Sequence, residues 1–276
     1  MEYEGVDSEL LEFLEHHGIK GQKWGVRRFQ NDDGSLTPAG RERYGYGPMP
    51  NERTTLKKGT RLNSVSFYAN SKAYQKSGNW MYTYNPYDKW DSKVYNGPFS
   101  VYKAESYLGL LTYEHSYQVV KDLKMPTSAE RFDEFVKLYE KNAETFTKEL
   151  QSIQDMTRKY DMGPANKSAQ QVDLSNVKTD EDLVAAYKLF NHAMENVAAF
   201  KMTKMYADEM SKKFDAMVDD NNQGVYNDAH DPIIIFNPKK SLKAVGKPRK
   251  NTVEEVVKNY NDVKEELKKK GKNVAL

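Results

Sequence analysis

The chain has 276 residues, of which 38% are hydrophobic and 30% charged, with a net charge of +2 and no cysteine. That length supports one large domain, or a domain with extensions, and a true core either way. The missing thiols exclude disulfide scaffolds, cysteine-based zinc sites and thiol nucleophiles, and the small net charge gives no global nucleic-acid signature.

Positive charge gathers in Lys20–Arg43 and toward the C-terminus, while Asp and Glu gather in the middle of the chain. No run of 18 apolar residues occurs, so no membrane span is expected. The acidic opening MEYEGVDSELLEFLEHH lacks the apolar stretch of a secretory signal. Residues 7–16 suit a short amphipathic helix with Leu10, Leu11 and Leu14 on one face. Gly18, Gly21 and Gly25 then make helix expensive. Val26 to Leu36, with Asp33-Gly34 as the turn, reads as a small hairpin. Thr37-Pro38 supplies an N-cap and a first-turn proline for a short helix to Tyr44, and Gly45–Asn51 reads as a linker.

Beyond it, Thr60–Ser66 is a predicted strand, and Trp80–Asn85, Pro98–Lys103 and Ser116–Val120, with bulky, aromatic or β-branched residues at period two, are predicted strands as well. Thr127 with Glu130 has capping-box spacing and opens a helix; a second helix covers about 144–160. Thr179 with Asp182 opens a third over Leu183–Asn196, and helix continues to about Lys213. Ala216–Val218 is a short strand, and Ile233–Phe236 reads as a buried central one. Thr252 and Glu255 cap a Lys-rich amphipathic helix to about Lys270. Strands, then helices, then strands point to an α+β fold. The expected organisation is an N-terminal module and linker over 1–50, an α+β domain over 52–246 with a helical insert at about 127–213, and a C-terminal helix over 247–276.

Residues 16–28 set His16, His17, Lys20, Lys23, Trp24, Arg27 and Arg28 on a Gly-rich backbone. Cations flanking an indole can grip an acidic groove on a partner with Trp24 as the anchor, or phosphate with the ring stacked on a base. Alternatively, Trp24, Phe29 and Leu36 form a mini-core and the cations are solvated. Adjacent His16 and His17 lack further ligands at metal-site spacing. "HHGIKGQKWGVRRFQNDDGSLTPAGRERYG" resembles a short module that recurs in proteins of tailed bacteriophages and prophages, matching it from His17 to Gly45. The resemblance implies a detachable docking element on a virion- or head-associated protein, with phage structural proteins as partners. It implies a location in the virion or the host bacterial cytoplasm.

"LKKGTRLNSVS" (56–66), "YQVVKDLKMPTS" (117–128) and "FDAMVDDNNQGVYNDAHDPIIIFNPKKSLKAVG" (214–246) resemble the first strand, the strand entering the helical insert, and the closing segment of the ADP-ribosyltransferase fold. That resemblance implies an NAD site. Ser64 stands where the family's NAD-holding Arg is expected, with Arg61 three residues earlier and so on the opposite strand face. Asp231 takes the place of the Glu expected before the last strand, and His230 is a candidate NAD contact. The departures favour a domain without turnover and without cofactor; the alternative is an active transferase that uses NAD to modify a host protein.

No P-loop, HExxH, GxSxG or EF-hand spacing occurs, and Asp219-Asp220-Asn221-Asn222 reads as a polar turn. Tyr82, Tyr84, Tyr87, Trp90, Tyr95 and Phe99 could stack a ligand or build an interface; the alternative is that they pack as core. The Lys-rich C-terminal helix fits a solvated end favoured by the helix dipole.

Overall fold

A computed structural model describes residues 53–77, 80–101, 111–159, 171–194, 200–219 and 229–271. All of these belong to the second of the two units into which the chain divides, Met1–Met49 and Pro50–Leu276. The helix, hairpin and module expected within residues 1–50 lie outside the described residues, as do Asp220, Asn221 and Asn222.

The described part is α+β, and its named strand pairs are all antiparallel. In chain order the elements begin with β1 (Thr55–Leu56), β2 (Arg61–Ser66), α1 (Ser71–Ser77), β3 (Met81–Thr83), α2 (Lys89–Tyr95), β4 (Tyr113–Val119) and β5 (Leu123–Lys124). Four helices follow: α3 (Ser128–Lys141), α4 (Ala143–Lys159), α5 (Asp180–Ala193) and α6 (Lys201–Lys213). Then come β6 (Ala216–Val218), β7 (Ile233–Ile235), α7 (Pro238–Ser241), β8 (Leu242–Ala244), β9 (Arg249–Lys250) and α8 (Val253–Lys269).

β2 pairs with β4, which pairs in turn with β8 and β9; β7 lies between β3 and β6; and β1 pairs with β5. Reciprocal backbone bonds of 2.9 Å between Asn63 and Tyr84 join β2 to the end of β3. The Ile233–Ile235 run is buried throughout, as a central strand requires. Pro98–Val101 is a correction: it is a helical turn rather than a strand. Its alternating pattern loses to the chain reversal after α2. At Gly97 an added Cβ would lie 2.6 Å from the Lys93 carbonyl and 2.7 Å from the Tyr260 amide, so glycine alone lets the α8 backbone touch the end of α2. At Gly59, φ is +90°, which serves the turn from β1 into β2.

The pleat sorts the core. Leu62 of β2 joins Met81, Tyr117, Val119, Ile233 and Ile235 in one cluster. Val65 joins Tyr84, Tyr95 and Phe99 in another, beneath Val263 and Leu267 of α8. The helical segment has its own core around Phe135, whose ring lies 5.9 Å from Phe146 and 5.1 Å from both Tyr187 and Phe190. Capping boxes at Thr127–Glu130 and Thr179–Asp182 start α3 and α5 at the positions their spacing predicts. The tract from Tyr82 to Phe99 divides between roles: Tyr84, Tyr95 and Phe99 are core, whereas Tyr87 is 79% exposed.

His115, fully buried on β4, stands between Ser66 Oγ (3.0 Å from Nε2) and Ser71 Oγ (2.8 Å from Nδ1), tying α1 to the sheet. Burial depresses its pKa to about 4, so the folded protein holds it neutral. The unfolded chain takes up this proton first, near the ordinary value of 6.5. Stability is therefore full above that pH and falls as pH drops toward 4, by on the order of 3 kcal/mol from this residue. Urea melts across that window will show the slope, and His115→Gln will flatten it; an unchanged slope in the variant rules out His115 as its source.

Candidate functional site

The segment before β7 carries His230 and Asp231, and α2 holds it in place. Asp88 caps α2, its Oδ1 accepting from the amides of Trp90 (2.8 Å) and Asp91 (3.1 Å). Its Oδ2 lies 2.7 Å from His230 Nδ1. Asp91, three residues on in the first turn of α2, is fully buried. Its Oδ1 accepts from the His230 amide at 2.6 Å and its Oδ2 from the Asp231 amide at 2.9 Å. Burial raises the Asp91 carboxyl above the usual range even against those two bonds. Burial pulls Asp88 the same way, but the His230 ring and the two amides outweigh it and hold Asp88 low. The His230 ring faces Trp90 at 6.4 Å, and Lys270 Nζ lies 5.3 Å over the same indole.

Asp88, Asp91 and His230 bring metal-ligand atoms within 4.8 Å of one another. These carboxylates already accept from four backbone amides, those of Trp90, Asp91, His230 and Asp231. The trio is thus accounted for as a latch between α2 and the 230–231 turn.

Asp231 faces a cavity of about 360 Å³ that is also lined by Arg53, Arg61, Asn85 and Tyr87. Its carboxylate pairs with the Arg53 guanidinium, Nη1 donating to Oδ2 at 3.2 Å and Nη2 to Oδ1. Both side chains are about one-third exposed, 35% and 32%. Arg61 shares the cavity with Asp231, whereas Ser64 does not: it is fully buried on the opposite face of β2 and its hydroxyl donates to the Tyr82 carbonyl. His230 sits beside the cavity, on Asp88 and Trp90, and is not part of its wall. Lys20, Lys23, Trp24, Arg27 and Arg28 lie outside the described residues. Sequence reasoning missed Arg53, 178 positions from its partner, and Asp91. For Asp91 a local signal existed: Asp88 and Asp91 stand at N-cap and N3 spacing.

The sheet holds a second heavily hydrogen-bonded carboxylate, the partly buried Glu114 of β4. Glu114 Oε1 accepts from the Tyr84 hydroxyl and, at 2.9 and 3.1 Å, from Asn63 and Asn96 Nδ2; Oε2 accepts from Arg249 Nε at 2.9 Å. Burial would raise Glu114, but these donors hold it low, and burial together with Glu114 pushes the Tyr84 hydroxyl well up.

Among known proteins, residues 7–31 match the model of a family of unknown function, DUF7211. No curated protein matches the chain, and no solved structure does. Among the described residues no helix is long and apolar enough to cross a membrane.

Replacing Asp91 with Ala strands two amides in a buried setting and will cost roughly 2–4 kcal/mol in chemical denaturation. Asp91→Asn keeps one acceptor oxygen and will fall between the variant and the parent. A loss below about 0.5 kcal/mol for the Ala variant dismisses the latch.

Proposed function

We propose that the chain is a bacteriophage virion- or head-associated accessory protein. It docks to phage structural proteins through its N-terminal module, with Lys20, Lys23, Arg27 and Arg28 as cations around the Trp24 anchor. Its α+β domain is an ADP-ribosyltransferase-like scaffold without turnover. The near-complete module pattern from His17 to Gly45 supports the docking role, and the family match at 7–31 covers the same cations and indole. The observation that carries the inactive reading is the Arg53–Asp231 pair. A carboxylate that stabilises a developing oxocarbenium ion has to present its charge to the sugar, and here a guanidinium already neutralises it. Mass spectrometry of purified particles tests the docking role. Deleting residues 16–45 will remove the protein from them, and retention at the parental level refutes it.

One observation favours a second reading, an active transferase that modifies a host protein. Arg61 and Asp231, the residue types that an NAD site uses for diphosphate and sugar, line one cavity. Incubation with labelled NAD and host lysate separates the two readings. The inactive scaffold labels nothing and hydrolyses no NAD, whereas label transfer abolished by Asp231→Ala establishes the enzyme.

A further inference from the structure

The positive charge toward the C-terminus is concentrated in one short segment. Residues 237–250, NPKKSLKAVGKPRK, carry six cations and no acid. The rest of the chain holds 36 of the 42 cations against all 40 acids. A strongly basic strip is thus set in a chain whose remaining residues are net acidic.

The fold lays this strip along one edge of a sheet. α7 supplies Lys239 and Lys240, and β8 and β9 then follow β4 in the same direction. Lys243 stands opposite Gln118, Arg249 opposite Glu114 and Lys250 opposite Tyr113. Four residues, Val245 to Pro248, span what His115 and Ser116 span on β4, and Gly246 at φ +72° makes the bulge that carries Lys247. Buried Ser241 and Leu242 hold the strip against the body of the domain. Among the described residues no strand pairs with β8 or β9 on the other side. The bulge and Pro248 already guard this edge against strand addition, so the lysines exceed that need.

Of the six cations Arg249 alone is paired, with Glu114 and Glu255. Lys239, Lys240, Lys243, Lys247 and Lys250 are all exposed, and their side chains make no hydrogen bond or ion pair among the described residues. Ammonium groups act on phosphate as point charges and need no planar match. From Tyr113 to Gln118 the edge runs for about 17 Å, and a duplex presents about ten phosphates over that length. The strip has no free side chain suited to reading base edges, because Arg249 is engaged and Asn237 caps α7. None of the large apolar side chains that the domain exposes falls within it, so it has no anchor for a lipid surface.

We propose that the edge formed by α7, β8 and β9 is a sequence-independent docking surface for duplex DNA, gripped at its phosphates by these five lysines. The surface is separate from the N-terminal module and from the cavity beside Asp231, so its failure leaves both readings of the function untouched.

Fluorescence anisotropy of the full chain with a labelled duplex of about 30 base pairs, between roughly 50 and 200 mM salt, provides the test. The parent will bind unrelated sequences equally, and log affinity will fall with log salt at a slope of about −4 to −5. Lys243→Gln, Lys247→Gln and Lys250→Gln together will weaken binding by about tenfold or more at low salt and reduce the slope by about 3. The same three positions changed to Arg will keep both affinity and slope. Arg27→Gln with Arg28→Gln will leave binding as in the parent. An unaltered melting temperature shows that the variants fold. Four results overturn the proposal: no saturable duplex binding up to ~100 μM protein at low salt, full affinity and slope in the Gln variant, loss of binding in the Arg27/Arg28 variant, or retention by phosphatidylglycerol vesicles without duplex binding.

Discussion

The Asp91 carboxylate fixes where the candidate site can be. It is buried completely, in a setting that penalises its charge, and both of its oxygens are taken by consecutive amides, those of His230 and Asp231. Removing an ion from water costs several kcal/mol unless such donors compensate. An arrangement that satisfies both oxygens at once leaves the 230–231 turn very little freedom. Asp88 adds a second hold through the His230 ring while capping the helix that carries Asp91. The turn thus inherits its position from a seven-residue helix, and Asp231 reaches the cavity because its own backbone is already pinned.

Glu114, partly buried on β4, plays a similar part in the sheet. Its partners come from β2, from the residue after β3, from the end of α2 and from β9, four segments distant in sequence. Asn251 extends the network by donating to Asn96 and Thr112, and Arg249 reaches Glu255 in the first turn of α8. Buried polar networks of this kind add little net stability, but they penalise every alternative packing that would leave a member unpaired. The two carboxylates thus do jointly what apolar contact alone does poorly: they set α2, α8 and the strand ends in one register relative to the cavity.

Much of the framework was legible because its signals are local. The Ile233–Ile235 run, the strand tract Thr60–Ser66 and the Thr-x-x-acid spacings before α3 and α5 each depend on residues a few positions apart, and each gives the element it predicts. α1 and α2 were not read, since seven residues are too few for a helical period to stand out among Tyr, Asn and Lys. β1, β5, β8 and β9 are two or three residues long and exist through their partners. The site divides along the same line. Arg61 and Ser64 fall on opposite faces of β2, as strand geometry requires, with Arg61 at the cavity and Ser64 in the core. Arg53 and Asp91 act across separations of 178 and about 140 residues, and no local pattern in the sequence encodes such pairings.

The Arg53–Asp231 pair differs in kind from the latch beneath it. Its two side chains are about one-third exposed, and ion pairs of that sort contribute about 0–1 kcal/mol. The amide of Asp231, by contrast, is bound to a carboxylate that water does not reach. The carboxylate therefore has a fixed address and an exchangeable partner. An anion entering the cavity competes with Asp231 for a guanidinium without disturbing the turn, and a cation entering competes with Arg53 for the carboxylate at similarly small cost. What separates these two occupants is the rest of the wall: Arg61 and the Asn85 amide offer donors and the wall holds one carboxylate, so the balance of charge and of hydrogen-bond donors favours the anion.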